Sequence, residues 1–175
     1  MFIEEACRHR PDAEHSYSFV KKLGGAGDGG RDIEARLVDQ QIENQWDLYQ
    51  AKHYSTGITP SVFFPELGKF FINLLGNVYK APRAYYLCAP KNAGNDLHDL
   101  FAAPEKFKAA FLEAWKTGHT GFKNKTALLT GDLERLINAF DFSRIRERLV
   151  RDLIEWHSEN QKVHYELFGI EAERG

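Results

Sequence analysis

Between Leu67 and Val78 the chain sets Leu67, Phe70, Phe71, Leu74, Leu75 and Val78 at i, i+3, i+4, i+7, i+8 and i+11. That spacing winds one continuous apolar stripe along a helix, with Pro65 suited to its first turn and Pro82 ending it. Upstream the period changes. Asp32-Ile33-Glu34-Ala35-Arg36-Leu37-Val38 alternates polar and apolar, as a strand with one buried face does. After a polar turn over 39–44, Trp46-Asp47-Leu48-Tyr49-Gln50-Ala51-Lys52 reads as the next strand. Tyr17, Phe19 and Leu23 suggest an earlier strand over 16–23, and 2–9 reads as a short helix before it. Arg83-Ala84-Tyr85-Tyr86-Leu87-Cys88-Ala89 reads as a fourth strand, buried on at least one side. Helices are then expected over 101–115, with Pro104 at its start or at a break, over 132–140, and over 143–159. The last is amphipathic through Ile145, Leu149, Val150, Leu153, Ile154 and Trp156.

This order predicts an α/β chain: an antiparallel meander, a crossover helix, another strand, then helices. At 175 residues it has the size of one domain with one core. The core is expected over about 1–125, with a C-terminal helical extension over about 126–175. No apolar run reaches the roughly 18 residues a membrane span needs. Glu4, Glu5 and Arg8 stand where a signal peptide would need an apolar run. Cys7 and Cys88 make neither a disulfide framework nor a metal-ligand spacing, and read as buried or half-buried thiols in a reducing cytoplasm.

A net charge of −2 argues against a nucleic-acid binder until its distribution is considered. Residues 16–125 hold 14 Lys and Arg against 11 Asp and Glu, whereas 126–175 hold 7 against 10. The acidic balance lies mostly in the tail, so charge permits a phosphate partner without indicating one.

Two features carry candidate chemistry. Gly27-Asp28-Gly29-Gly30-Arg31-Asp32 ends in an acid at the start of a strand, and Gln50-Ala51-Lys52 closes the next strand. Alternation puts Gln50 and Lys52 on one face, and Asp32 and Glu34 on one face. Paired as a hairpin, the two strands bring Asp32 beside Gln50 and Lys52. Ile33, Ala35 and Leu37 have the opposite parity, with Leu48 the exception, so a core is expected on one side and the polar cluster on the other. Asp28 reads as a turn residue of the glycine loop. Gly25-x-Gly27-x-x-Gly30 matches a dinucleotide-binding spacing, but that motif must open a helix. Here it leads into a strand.

Gly-Asp-Gly-Gly-x-Asp, a strand, and then Gln50-x-Lys52-His53-Tyr54 resembles the Mrr-like branch of the PD-(D/E)xK nuclease superfamily. It is similar to the N-terminal DNA endonuclease domain of bacterial anti-phage effectors of the CBASS-type, CD-NTase-associated kind. The likeness runs over 24–54 and extends to about 99, with Arg83 to Pro90 where that family has its next core strand. It implies a restriction-endonuclease-like core, a mixed central sheet of about four strands flanked by helices, with extra C-terminal helices. It further implies that Asp32 is the metal-binding aspartate, Gln50 the second metal-site residue and Lys52 the signature lysine. Mg²⁺ is the implied cofactor, with Mn²⁺ able to substitute. Gln50 departs from the usual Glu or Asp, and its carbonyl is a neutral, weaker ligand. A second carboxylate is therefore expected from Glu5 on the first helix, with Glu4 and Glu34 as alternatives. Arg31 and His53 are the expected DNA contacts.

These residue types suit phosphodiester hydrolysis. Mg²⁺ takes one or two carboxylates plus waters and substrate phosphate, and lowers the pKa of a bound water. Lys52 would hold the attacking water or stabilise developing negative charge. The expectation is thus a cytoplasmic endonuclease of double-stranded DNA with low sequence specificity, acting in anti-phage defence. Such an enzyme needs restraint, so a homo-oligomer or a regulatory or sensor partner or domain is expected, the chain being part of a larger effector. The rival expectation is a weakened nuclease fold serving as a DNA-binding or protein-interaction module.

Overall fold

Alternating side chains build a sheet with two covered faces. The computed structural model describes residues 2–8, 16–23, 31–52, 54–119, 122 and 128–158. Helix α1 (Phe2–Arg8) is followed by strands β1 (Phe19–Lys22), β2 (Ile33–Arg36) and β3 (Trp46–Ala51). Helix α2 (Pro60–Leu75) leads to β4 (Ala84–Cys88), and then come α3 (Asn95–Ala102), α4 (Pro104–Thr117) and α5 (Gly131–Ala139). A 3₁₀ turn at Phe142–Arg144, strand β5 (Ile145–Glu147) and α6 (Val150–Ser158) complete the described elements. The strands lie in chain order, β1-β2-β3-β4-β5. The first two pairings are antiparallel and the last two parallel. The fold is α/β, with a mixed central sheet flanked by helices.

On one face, Trp46, Leu48, Tyr85, Leu87 and Ile145 pack against Phe63, Leu67, Phe70 and Phe71 of α2 and the aromatic side chains of α4. On the other, Ile33, Ala35, Tyr49, Tyr86 and Cys88 pack against Ala6 and Cys7 of α1 and Leu153 of α6. β3 is therefore buried on both sides, which explains why Leu48 breaks the one-sided pattern expected for it. Its Asp47 is fully buried, accepting from Tyr17 Oη at 2.6 Å and from Arg83 Nε at 3.0 Å.

Three expectations are corrected. The sheet has five strands rather than about four, because 143–159 is not one helix. Ile145 is fully buried opposite Tyr85 as β5 lines the open edge of β4, and Arg148 N–H donates to Leu87 O at 2.9 Å. An unpaired strand edge satisfies these backbone groups while burying Ile145, which a helical register here would not do. Position 159 lies outside the described residues. The extension over 126–175 thus contributes a strand to the core sheet.

α2 stops at Leu75, with the N–H of its Gly76 cap donating to Ile72 O and Asn77 at φ 54°. Val78 is consequently exposed, and Tyr79 is the residue buried past the turn. Pro60 occupies the first turn, with Pro65 inside the helix. Further on, Pro104 separates α3 from α4 and starts the latter. Among the described residues no helix is long and apolar enough to cross a membrane.

Candidate functional site

β3 and β4 run parallel, so their C-terminal ends open on the same edge of the sheet. Two loops meet there. Ile58 N–H donates to Asn92 O at 3.1 Å and Gly94 N–H to Ile58 O at 2.9 Å. A Cβ on Gly57 would lie 3.1 Å from the Gly94 backbone, so the crossing is close enough to favour glycine.

Asp32 precedes β2. The register pairs Ile33 with Tyr49, and one further residue sets Asp32 across from Gln50. The Ala51 N–H donates to Asp32 Oδ2 at 2.7 Å, and the Leu23 N–H to the Asp32 carbonyl at 2.7 Å. Asp32 is thereby fixed through both backbone and side chain at the point where β1, β2 and β3 come together.

Gln50 has the parity of Trp46 and Leu48 and so belongs to the α2 face of β3. It is 3% exposed, and its Oε1 has no hydrogen-bond partner among the described residues. A buried amide oxygen left unpaired costs free energy, about 1–3 kcal/mol. Lys52 follows on the same parity. Its N–H donates to Cys88 O at 2.9 Å, and its ammonium lies 3.4 Å from Glu66 Oε2 on α2. The other carboxylate oxygen of Glu66 is 3.1 Å from Lys69 Nζ. Burial acts to raise the Glu66 pKa, but Lys52 and Lys69 outweigh it and hold the carboxyl below its usual range.

The expectation of a core on one side and a polar cluster on the other is therefore corrected. Asp32, Gln50 and Lys52 stand at the edge of the larger core, where the α2 face opens at the strand ends. Tyr85 is buried on the same sheet face, opposite Leu48 and against Phe63 and Phe70. Its burial raises the hydroxyl pKa well above the ordinary value, and the charges of Glu66 and Asp32 push it further in the same direction.

Glu66 was not foreseen in the sequence, although a signal for it exists. It stands three residues after Phe63 and four before Phe70, both buried, so it borders the apolar stripe of α2. A carboxylate so placed needs a cationic partner.

The remaining predicted residues divide. Glu5 is half-buried on α1, the helix that covers the opposite sheet face from α2. Glu4 pairs with Arg8 at 2.7 Å. Glu34 is 2% exposed and accepts from Arg36 at 2.6 Å, Gln41 at 2.9 Å and Arg31 at 3.0 Å. Its charge is spent within that cluster. Arg31 also lies 4.9 Å over the Tyr79 ring, so a phosphate would have to draw it away from two partners. His53 and the glycine cluster at 24–30, Asp28 included, lie outside the described residues.

Among the described residues, no three His, Cys, Asp or Glu side chains gather as a cation cage. What the strand ends offer is smaller: the Asp32 carboxylate, one oxygen of which accepts from Ala51, and the unpaired Gln50 Oε1. A carboxylate and an amide carbonyl are oxygen donors of the type a hard cation takes. Beside it, a cavity of about 130 Å³ lined by Phe2, Ile3, Ala51, Lys52, Cys88 and Pro90, among others, is apolar and suits no anion.

No family model matches the chain, and neither a curated protein nor a solved structure does so.

Proposed function

We propose that the chain is a metal-dependent endonuclease that hydrolyses phosphodiester bonds in double-stranded DNA, with Asp32, Gln50 and Lys52 as its active-site residues. The observation that carries this reading is the buried Oε1 of Gln50, unpaired among the described residues, opposite the backbone-held Asp32 and two residues before Lys52. A buried polar atom without a partner calls for an explanation, and a cation ligand is one that also accounts for its neighbours.

In this reading Asp32 would contribute a carboxylate and Gln50 a carbonyl to one Mg²⁺ or Mn²⁺, whose other ligands would be water and substrate phosphate, while Glu5, on the helix across the sheet, is a less favoured further acid. Such an ion, when bound, supplies a Lewis acid for a phosphate oxygen and lowers the pKa of water. The Ala51 N–H fixes the orientation of Asp32, so little reorganisation is needed as substrate arrives. Lys52 directs a positive charge at the opening, where it stabilises negative charge on the phosphate oxygens or holds the attacking water. Arg31 and His53 are the proposed backbone contacts, binding phosphate and hence carrying little sequence preference. An unrestrained nuclease would be toxic to its own cell, so restraint is assigned to oligomerisation or to a regulatory partner or domain, as in a cytoplasmic bacterial anti-phage effector.

The test is plasmid cleavage with Mg²⁺, Mn²⁺ or EDTA, comparing the chain with Lys52→Ala. The expected result is metal-dependent nicking or linearisation that is lost in the variant. Absence of cleavage with either metal, in assembled as well as isolated protein, would favour a DNA-binding or protein-interaction module built on the same fold.

A further inference from the structure

Lys52 carries a point charge on a flexible four-carbon stem, and such a side chain is useful at a reaction centre only when its tip is held. The root of Lys52 is fixed by the N–H donated to Cys88 O at 2.9 Å. Its tip lies 3.4 Å from Glu66 Oε2, while Lys69 at 3.1 Å orients the other oxygen of the same carboxylate. Glu66 itself is carried by a rigid stretch of α2, since Phe63, Leu67 and Phe70 around it are at most 2% exposed.

We propose that Glu66 is a positioning residue for Lys52, holding its ammonium at the end of β3 toward the phosphate to be cleaved. This inference rests on the nuclease reading. One contact at 3.4 Å directs the ammonium without using up its three N–H donors, leaving some for a phosphate or a water. Glu66 acts through Lys52 and touches neither substrate nor cation.

Glu66→Gln and Glu66→Asp test this on plasmid DNA. Glu66→Gln should lower kcat by about 10-fold or more with KM changed less than about 3-fold, and Glu66→Asp should recover part of the loss. A second readout needs neither metal nor DNA: the rate at which an N-hydroxysuccinimide ester acylates Lys52, followed by mass spectrometry. Freed from Glu66, the amine should be modified several-fold faster than in the wild type. Wild-type kcat together with a wild-type labelling rate in Glu66→Gln would overturn the proposal. So would a fall in Mn²⁺ affinity, read by electron paramagnetic resonance, as large as that of Asp32→Ala, because Glu66 would then be a ligand. Should the wild type cut no DNA at all, the nuclease reading fails, and faster labelling would still show that Glu66 holds Lys52.

Discussion

The backbone N–H of Ala51 donates to Oδ2 of Asp32 at 2.7 Å, joining the entry of β2 to the end of β3 through a side chain. One carboxylate thus closes the ladder where the strands part, and under the proposed function it has a second duty as a cation ligand. Replacement by asparagine and by alanine should separate them. Asp32→Asn keeps an acceptor for Ala51 and should stay within about 1 kcal/mol of wild-type stability, while Asp32→Ala should lose about 1–2 kcal/mol. Both should cut plasmid DNA at least about 100-fold more slowly, since both remove the anionic ligand. Urea unfolding and cleavage rates check the two effects independently. An Asp32→Asn protein that cuts at the wild-type rate would remove Asp32 from the mechanism.

Gln50→Glu puts a carboxylate where a neutral amide is 97% buried. Without metal the variant should be less stable by about 1–3 kcal/mol, the cost of a buried polar group with poor partners. A divalent cation that binds the folded state should recover part of that loss through mass action. Thermal unfolding with EDTA and with millimolar Mn²⁺ is the measurement. An equal response to Mn²⁺ in wild type and variant would count against Gln50 as a ligand.

The lowered pKa of Glu66 makes a pH prediction with a definite sign. The folded state favours its ionised form, so its contribution is complete above the ordinary value of 4.5 and fades as pH falls through the lowered folded value. Wild type should therefore exceed Glu66→Gln in stability at neutral pH, with the gap closing as pH falls below the ordinary glutamate value. Denaturant titrations of both proteins across that range decide it. A gap independent of pH would mean that the ion pairs with Lys52 and Lys69 add nothing to stability.

Ile145 and Ile154 belong to one apparent helical stripe, yet the first is fully buried in β5 and the second is 41% exposed on α6. Ile145→Ala should cost about 2–4 kcal/mol, and Ile154→Ala no more than about 0.5 kcal/mol. Equal costs from chemical denaturation would be incompatible with β5 lying in the sheet.

The elements that could be read from the sequence are those whose partners lie nearby in the chain. Ile33 and Ala35 follow the period-2 pattern, and the stripe through Leu67, Phe70 and Phe71 follows the helical one, because each set of apolar residues packs against one layer. Asp32, Gln50 and Lys52 were legible too, since strand parity and a hairpin between neighbouring strands suffice to bring them together. Glu66 was much less so. Its neighbour Lys69 suggests an ordinary solvated pair, and only the packing of α2 across β3 shows that it also reaches Lys52.

From sequence alone follow the α/β class, the three-strand meander and the grouping of Asp32 with Gln50 and Lys52, all set by local periodicity and short connections. Tertiary structure decided the rest. It made β5 out of a helical pattern, because the open edge of β4 offered backbone partners and a buried place for Ile145. It buried both faces of β3, leaving Gln50 Oε1 without a partner among the described residues, and it chose Glu66 as the carboxylate beside Lys52. Each of these outcomes depends on contacts between residues distant in the chain, which no local pattern records.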